Sequence, residues 1–167
     1  MPTTDKHAPG AFCWIELATT DRKAAGSFYT SLFGWKTSEN PMGPDAFYTM
    51  FTLDGHVSAG GYTMSAQEQA QGVPPHWNLY VNVANADDAA KRAAELGGKV
   101  IDAPFDVQTH GRMAVIQDPG GAVFAVWQAG DHNGIGVRDE PGSLCWADLN
   151  TPDPQVAVLS LFELHRH

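Results

Sequence analysis

Residues 12–35 read FCWIELATTDRKAAGSFYTSLFGW, and this stretch decides the fold. The apolar run at residues 13–18 predicts a β-strand. Asp21 belongs to the residue types that cap helix N-termini, and Gly34 to those that end helices, so a helix is expected over residues 22–32. The stretch therefore predicts one strand followed by one helix.

The same order recurs through the first 130 residues. A hairpin that turns at Asp54 and Gly55 is expected after the first helix. Within the first 130 residues, the predicted strands cover residues 13–18, 48–53, 57–64, 77–83, 99–101, 113–117 and 123–128. The second helix covers residues 89–96 with Asn85 or Asp87 as its cap. The order βαβββ is thus expected twice, in modules of about residues 10–64 and 76–129, and the fold class is α+β.

A short motif is repeated near the end of the chain. Residues 12–21 align with residues 144–153, 132 positions later, and Cys, Trp, Leu, Thr and Asp recur identically. The repeat predicts that residues 142–167 are the truncated start of a second domain, with residues 142–153 as its first strand. A linker at residues 130–141 joins it to the first domain.

Composition restricts the partners. Lys and Arg number 10 and Asp and Glu number 19, and a net charge of -9 disfavours nucleic acid. No apolar run approaches the roughly 18 residues of a membrane span, so a cytoplasmic protein without membrane contact is expected. Cys13 and Cys145 both lie in apolar runs, which favours two buried thiols in a reducing compartment over a disulfide.

Three motifs carry a family resemblance. They are CWIEL at residues 13–17, FYTSLFGW at residues 28–35 and DPGGAVF at residues 118–124. With the paired βαβββ modules, they resemble the vicinal oxygen chelate superfamily, the glyoxalase, bleomycin-resistance and extradiol-dioxygenase group, and especially its tandem-domain bacterial glyoxalase-related members. The resemblance implies one complete domain at residues 10–129, in which the paired modules form a half-open barrel around one cleft.

The resemblance also implies a metal held by equivalent strands, and here the sequence departs from it. The family's ligand positions fall at Trp14, Asn78 and Ala125, which cannot supply the His, Asp or Glu donors of a catalytic divalent ion. We therefore expect no cofactor. The alternative is a divalent metal with relocated ligands, which would be Glu16, His56 and His76.

Glu16 is the candidate catalytic residue. A carboxylate in an otherwise apolar strand is paired, solvated or functional, and Glu16 shares a strand face with Trp14. Its alternative is a partly exposed position at a strand edge. Arg112 could hold a substrate carboxylate, although a structural ion pair is its alternative. The candidate ligand-binding residues are Trp14, Tyr62, Asn78, Tyr80, Arg112 and Trp127, and core burial is the alternative for the Trp side chains.

The leading hypothesis for function is a protein that binds a small apolar or aromatic molecule in an aromatic cleft, with a lost or degenerate metal site. An enzyme is the competing class: a metal-dependent lyase, isomerase or dioxygenase with relocated ligands, or a metal-independent hydrolase that uses the same cleft. The third functional class is a purely structural remnant of a broken gene. A homodimer through residues 142–164 is expected, because an exposed apolar strand promotes association.

Overall fold

A computed structural model of the chain describes residues 6–44 and 46–149. The first module consists of β1 Phe12–Thr19, α1 Arg22–Phe33, β2 Lys36–Pro41, β3 Phe47–Leu53 and β4 His56–Thr63. A short helix, α2 Ala66–Ala70, precedes the second module, which consists of β5 His76–Asn82, α3 Ala86–Glu95, β6 Lys99–Val107, β7 Gly111–Gln117 and β8 Val123–Ala129. The predicted α+β class with two βαβββ modules is confirmed.

The described residues form two compact units. The first contains Trp14–Asn78 and Ile135–Cys145, and its strands lie in the order β2-β3-β4-β1. The second contains Lys6–Cys13, Leu79–Gly134 and residues 146–149, and its strands lie in the order β5-β8-β7-β6. Each of these two sets of four strands has one parallel pair, β1 with β4 and β5 with β8, and its other neighbouring strands are antiparallel.

In the first unit, α1 covers one face of the sheet. The Asp21 carboxylate accepts the Ala24 N–H at 2.9 Å, and Gly34 ends the helix with φ 73°. The aromatic rings of α1 pack against Phe51 and Trp77, whose indole N–H donates to Tyr29 Oη at 3.1 Å. The half-buried Trp77 therefore lies on the α1 side of the sheet and packs against Tyr29.

In the second unit, α3 presents a row of small side chains to the sheet. Asn85 caps the helix by accepting the N–H groups of Asp87 and Asp88. Four buried alanines of α3 pack on Ala114, Ile116 and Val126. Small side chains allow the helix to lie close to the strands, so this packing builds the core of the unit.

Two elements were not predicted. All residues of β2 are exposed, so the strand has no apolar alternation that a sequence pattern could reveal. Residues 65–75 contain α2, which begins with a capping box between Ser65 and Glu68. Both elements are therefore set by pairing or capping and not by apolar burial.

The segment after the second module differs from the expectation. In the predicted linker, Ile135 and Val137 are buried and the Gly136 N–H donates to Val57 O at 2.7 Å. Residues 142–149 contain no strand, and their β-pairing is an isolated bridge from Arg138 to Leu144, so the prediction of a strand there was wrong. Residues 150–167 lie outside the described residues.

The two copies of the repeated motif have different surroundings. Cys13 is fully buried and Trp14 is 4% exposed, because β1 pairs with β4. Cys145 is exposed and Trp146 is 76% exposed, since their segment has no neighbouring strand among the described residues. Burial of Cys145 was therefore a wrong prediction. Both thiols are free, and no helix in the described ranges has the length and apolar character to cross a membrane.

Candidate functional site

The face of the first sheet that lies opposite α1 carries the candidate site, and we call it the site face. Glu16 of β1 is in register with Gly60 of β4, and Ala18 with Tyr62. Tyr62 is also paired with Tyr48 of β3. Residues in register across a sheet, and residues two apart along a strand, share a face. The side chains of Glu16, Tyr48 and Tyr62 therefore emerge together, and Trp14 shares their side.

Three of these side chains form a line of hydrogen bonds. The Trp14 indole N–H donates to Tyr48 Oη at 3.2 Å, and the Tyr48 hydroxyl donates to Glu16 Oε1 at 2.7 Å. Burial, with the charge and the hydrogen bond of Glu16, raises the pKa of Tyr48 well above its usual value. Tyr48 is therefore a neutral phenol that holds the carboxylate of Glu16 in place.

Gly60 makes this line possible. A Cβ at this position would overlap Tyr48 Oη and lie 2.8 Å from a ring carbon of Trp14. Side chains of Tyr48 and Trp14 thus lie directly over the backbone of β4. Only a residue without a side chain therefore fits at position 60.

A second group of polar side chains surrounds Tyr62. Its hydroxyl donates to Glu68 Oε1 at 2.9 Å. Burial, the hydrogen bond and charge of Glu68, and the charge of Glu16 raise the pKa of Tyr62, whereas a hydrogen bond with the Asn78 side chain lowers it. Tyr62 is therefore also held as a neutral phenol, between a carboxylate on α2 and an amide on β5.

Asn78 connects this group to His76. The ring Nε2 of His76 lies 3.0 Å from Asn78 Oδ1, and Nδ1 lies 2.8 Å from Pro74 O. Burial raises the pKa of Glu68, but hydrogen bonds from Ser65 and Tyr62 and the charge of His76 outweigh it, so the pKa is lowered. The site face thus carries two carboxylates, each bound by a tyrosine.

The other predicted ligand contacts lie in the second unit. Tyr80 and Trp127 are buried and meet edge to face, and the Trp127 N–H donates to His132 O at 2.9 Å. Arg112 is bound in a bidentate pair to Asp87 at 2.7 and 2.9 Å, and also to Asp106 at 2.9 Å. Arg112 therefore forms structural ion pairs, which was the alternative to its holding a substrate carboxylate.

The residues present do not fit the family's metal. The ligand positions hold Trp14, Asn78 and the buried Ala125, whose side chains offer no anionic or imidazole donor. Within residues 6–44 and 46–149, no three His, Cys, Asp or Glu side chains are grouped closely enough for a metal. The alternative ligand set of Glu16, His56 and His76 does not fit a metal either. Gly60 is the register partner of Glu16, and His56 lies four residues from Gly60 along β4, a distance of about 13 Å at strand spacing.

Tyr48 and Glu68 are the two site residues that sequence reasoning missed. Tyr48 lies on a strand that was predicted, but its face depends on the register of the hairpin. Glu68 lies in a Gln-, Gly- and Pro-rich stretch, where the pattern Ser65-x-x-Glu68 was the signal for a capped helix. His76 entered the prediction only as an alternative metal ligand.

Comparisons with known proteins place these observations in a family. The family described as Glyoxalase/Bleomycin resistance protein/Dioxygenase superfamily matches residues 11–126. "Putative glyoxylase CFP32" of Mycobacterium tuberculosis is 39% identical over 159 residues, which cover 95% of this chain and 60% of that protein. "Anthracycline biosynthesis protein DnrV" of Streptomyces peucetius is 37% identical over 156 residues, which cover 87% and 57%. The chain thus spans about 60% of the length of these relatives.

Solved structures share the fold at low identity. Methylmalonyl-CoA epimerase from Mycobacterium tuberculosis matches with a TM-score of 0.54 and 16% identity, over 72% of this chain and 89% of that one. A mutant of 4-hydroxymandelate synthase from Streptomyces coelicolor matches with a TM-score of 0.56 and 14% identity, over 77% and 41%. At such identities the likeness shows the fold alone.

Proposed function

The chain belongs to the glyoxalase/bleomycin resistance protein/dioxygenase superfamily, and on this basis we propose that its site face binds a small apolar or aromatic molecule. One observation carries the proposal: Trp14, Tyr48 and Glu16 are joined by hydrogen bonds on that face. The half-buried aromatic side chains of Tyr48 and Tyr62 therefore lie on the same face as a positioned carboxylate. Such a combination holds an apolar ring by burial and a polar substituent by a directed hydrogen bond.

Charge and relatives narrow the class of ligand. The face carries the carboxylates of Glu16 and Glu68, and the chain has a net charge of -9, which disfavours anions. Relatives named as anthracycline biosynthesis proteins support a planar aromatic ligand, since anthracyclines are fused aromatic compounds. The proposed ligand is therefore a neutral or cationic aromatic molecule with hydrogen-bond donors.

Three half-buried residues would meet this ligand. Glu16 accepts from a donor on the ligand, and Tyr62 and Asn78 orient its other polar groups. Trp14 is buried and acts through Tyr48. Arg112 is left out because its guanidinium already binds two carboxylates. Contacts from Tyr80 and Trp127 stay predictions.

Proton transfer by Glu16 is the second candidate function. The 2.7 Å bond from Tyr48 fixes one oxygen of the carboxylate, as general-base catalysis beside a carbonyl would need. The same bond is consistent with binding alone. Turnover of hemithioacetals or chromogenic esters that the Glu16→Gln substitution abolishes would favour a lyase, isomerase or hydrolase. No step is assigned to a metal, since the donor set does not fit one.

We also propose an oligomeric state and a cellular location for the protein. Trp146 and Leu149 are exposed in the repeated motif, and this exposure supports a homodimer through the segment that begins at residue 142. The rest of that segment lies outside the described residues. A cytoplasmic location is proposed from the free thiols and the absence of a membrane-spanning helix within the described ranges.

Calorimetric titration with two matched probes tests the binding proposal. Naphthylmethylamine should bind more tightly than naphthoate, because the ammonium group donates to Glu16. Glu16→Gln should weaken binding of the amine by about tenfold or more, the usual effect of losing a charged hydrogen bond, and should change naphthoate binding little. Glu95→Gln, at an exposed ion pair with Arg92, is the matched control. Equal affinity for both probes, or an amine affinity that Glu16→Gln leaves unchanged, would contradict the proposal.

A further inference from the structure

Helix α1 exposes a row of large apolar side chains. Phe28 is 59% exposed and Leu32 is 57% exposed. The two residues are four positions apart, so they lie on one side of the helix. All twelve residues of α1 are described and none of them is buried, whereas α3 buries four alanines against its sheet. The α1 row, as we call Phe28 and Leu32, is therefore an apolar surface that lies open to solvent.

The sequence around the α1 row is cationic. Residues 22–38 contain Arg22, Lys23 and Lys36 and none of the 19 Asp and Glu residues of the chain. Lys23 and Lys36 are exposed, and Arg22 forms an ion pair with Glu39. The chain as a whole has a net charge of -9, so this stretch is opposite to it in sign. A partner that is both apolar and acidic therefore suits the α1 row.

The segment at residues 142–164, through which a homodimer is proposed above, has this chemistry. It contains Asp148, Asp153 and Glu163 and no Lys or Arg. Trp146 is 76% exposed and presents a large aromatic ring. Its indole N–H already donates to Asp148 Oδ1 at 2.6 Å. The ring can therefore be buried in a contact without leaving its donor unpaired.

Both surfaces stay open in a single chain. Phe28, Leu32 and Trp146 each keep more than half of their surface exposed. Apolar side chains that pack together lose accessible surface on both sides of the contact, and this loss is favourable. Each surface therefore still lacks a cover, and a second copy of the chain supplies a cover for both.

Two other apolar patches suit the segment less well. The exposed apolar side chains of β6 lie beside the exposed carboxylates of Asp102 and Asp106, which would repel the acids of the segment. Phe47 already has the guanidinium of Arg22 over its ring, 5.3 Å from the centroid. The α1 row combines open apolar surface with a sequence that contains no acid.

We propose that residues 142–164 of a second copy dock on the α1 row. The apolar side chains of the segment cover Phe28 and Leu32, and its acids lie near the cations of residues 22–38. With two-fold symmetry, each copy gives one segment and receives one, so both apolar surfaces are buried at once. The inference rests on the homodimer proposed above and names the surface that the segment occupies.

Sedimentation equilibrium of the full chain and of three variants tests the docking surface. Phe28→Ala should raise the dimer dissociation constant by about tenfold, as is usual when a central apolar contact of an interface is lost. Trp146→Ala should weaken the dimer in the same way. Phe105→Ala, at a side chain that is 44% exposed on β6, is the matched control and should leave the dissociation constant unchanged. Because all three side chains are exposed, thermal denaturation should show that the variants stay folded.

Cross-linking through Cys145 distinguishes a second copy from the same chain. Cys145 is exposed beside Trp146, whereas burial raises the pKa of Cys13 to about 12, so Cys145 is the thiol that reacts at neutral pH. In the Ser31→Cys variant, a short bis-maleimide should join position 31 to Cys145 of the other copy and give a covalent dimer. Ser38→Cys, at an exposed position of β2, is the matched control and should give no product joined at position 38. Peptide mapping identifies the joined positions.

The outcomes separate the inference from the homodimer on which it rests. A full chain that is monomeric at micromolar concentration would contradict the homodimer and the inference together. A dimer that Trp146→Ala weakens and Phe28→Ala does not would overturn the inference alone. A link from position 31 to Cys145 within one chain would also overturn it, because the segment would then cover its own α1. Equal cross-linking at positions 31 and 38 would do the same.

Discussion

Gly60 is the residue whose substitution should disturb the site face most directly. A methyl group there would overlap Tyr48 Oη and crowd Trp14, so Gly60→Ala should break the bonds from Trp14 to Tyr48 and from Tyr48 to Glu16. We expect a loss of about 1–3 kcal/mol in the free energy of unfolding, measured by urea denaturation, as is usual for overpacking.

Gly61→Ala is the matched control for this prediction. It lies on the opposite face of the same strand, where a Cβ would meet a Phe51 ring carbon at 3.2 Å. The contact is milder, and the loss should be smaller than at Gly60. If Gly60→Ala were as stable as the unsubstituted protein, the close packing of Tyr48 on β4 would be contradicted.

Single residues differ in how far the sequence reveals them. Glu16 could be singled out because a carboxylate in an apolar strand needs a partner, and Tyr48 is such a partner at 2.7 Å. For Arg112 the sequence left two roles open, holding a substrate carboxylate or forming a structural ion pair. Its partners Asp87 and Asp106 lie 25 and 6 residues away along the chain. Contacts of this kind depend on tertiary packing, which a local pattern does not contain.

At the level of elements, the N-terminus of α1 depends on one cap. Asp21 Oδ1 accepts the Ala24 N–H at 2.9 Å, and the first turn contains no acidic residue that could replace it. Asp21→Ala should therefore lower the free energy of unfolding by about 1 kcal/mol in thermal or urea denaturation.

Asp21→Asn should retain most of this stability, because the Asn side chain also accepts at an N-cap. Ser31→Ala, at an exposed position within α1, should change stability by less than about 0.5 kcal/mol. An Asp21→Ala protein as stable as the Asn variant would show that the cap contributes nothing measurable.

The hairpin of β3 and β4 explains why Tyr48 was missed. Counting outward from the turn at Asp54 and Gly55 pairs Tyr48 with Gly61, on the face of α1. The register shifts by one residue between Phe51 and Thr52, so Tyr48 pairs with Tyr62 instead. A one-residue shift in register moves a side chain to the other face of a sheet. The local sequence pattern did not indicate this shift.

At the scale of the whole molecule, the internal repeat made the fold predictable. The two modules follow from the alternation of strand and helix patterns, which local propensity and capping determine for every strand and long helix except the exposed strand β2. The same repeat predicted a first strand over residues 142–153. No strand forms over the described residues 142–149, because a strand needs a neighbouring strand to pair with. Trp14 has one in β4, whereas Trp146 is 76% exposed. The similarity between the two copies of the motif thus indicates a shared local preference for extended structure, but it does not supply a neighbouring strand for the second copy.

The indole N–H spectrum of the protein tests the central claim, binding at the site face, most directly. All 5 tryptophans are described, and Trp14 bonds Tyr48 on the site face, whereas Trp35 and Trp77 lie on the α1 side. During titration with naphthylmethylamine, the Trp14 signal should shift saturably, because a ligand at Glu16 changes the bond from Tyr48 that Trp14 shares. The signals of Trp35 and Trp77 should stay in place. A saturable shift confined to Trp35 or Trp77, or no saturable shift of any indole signal, would contradict binding at this face.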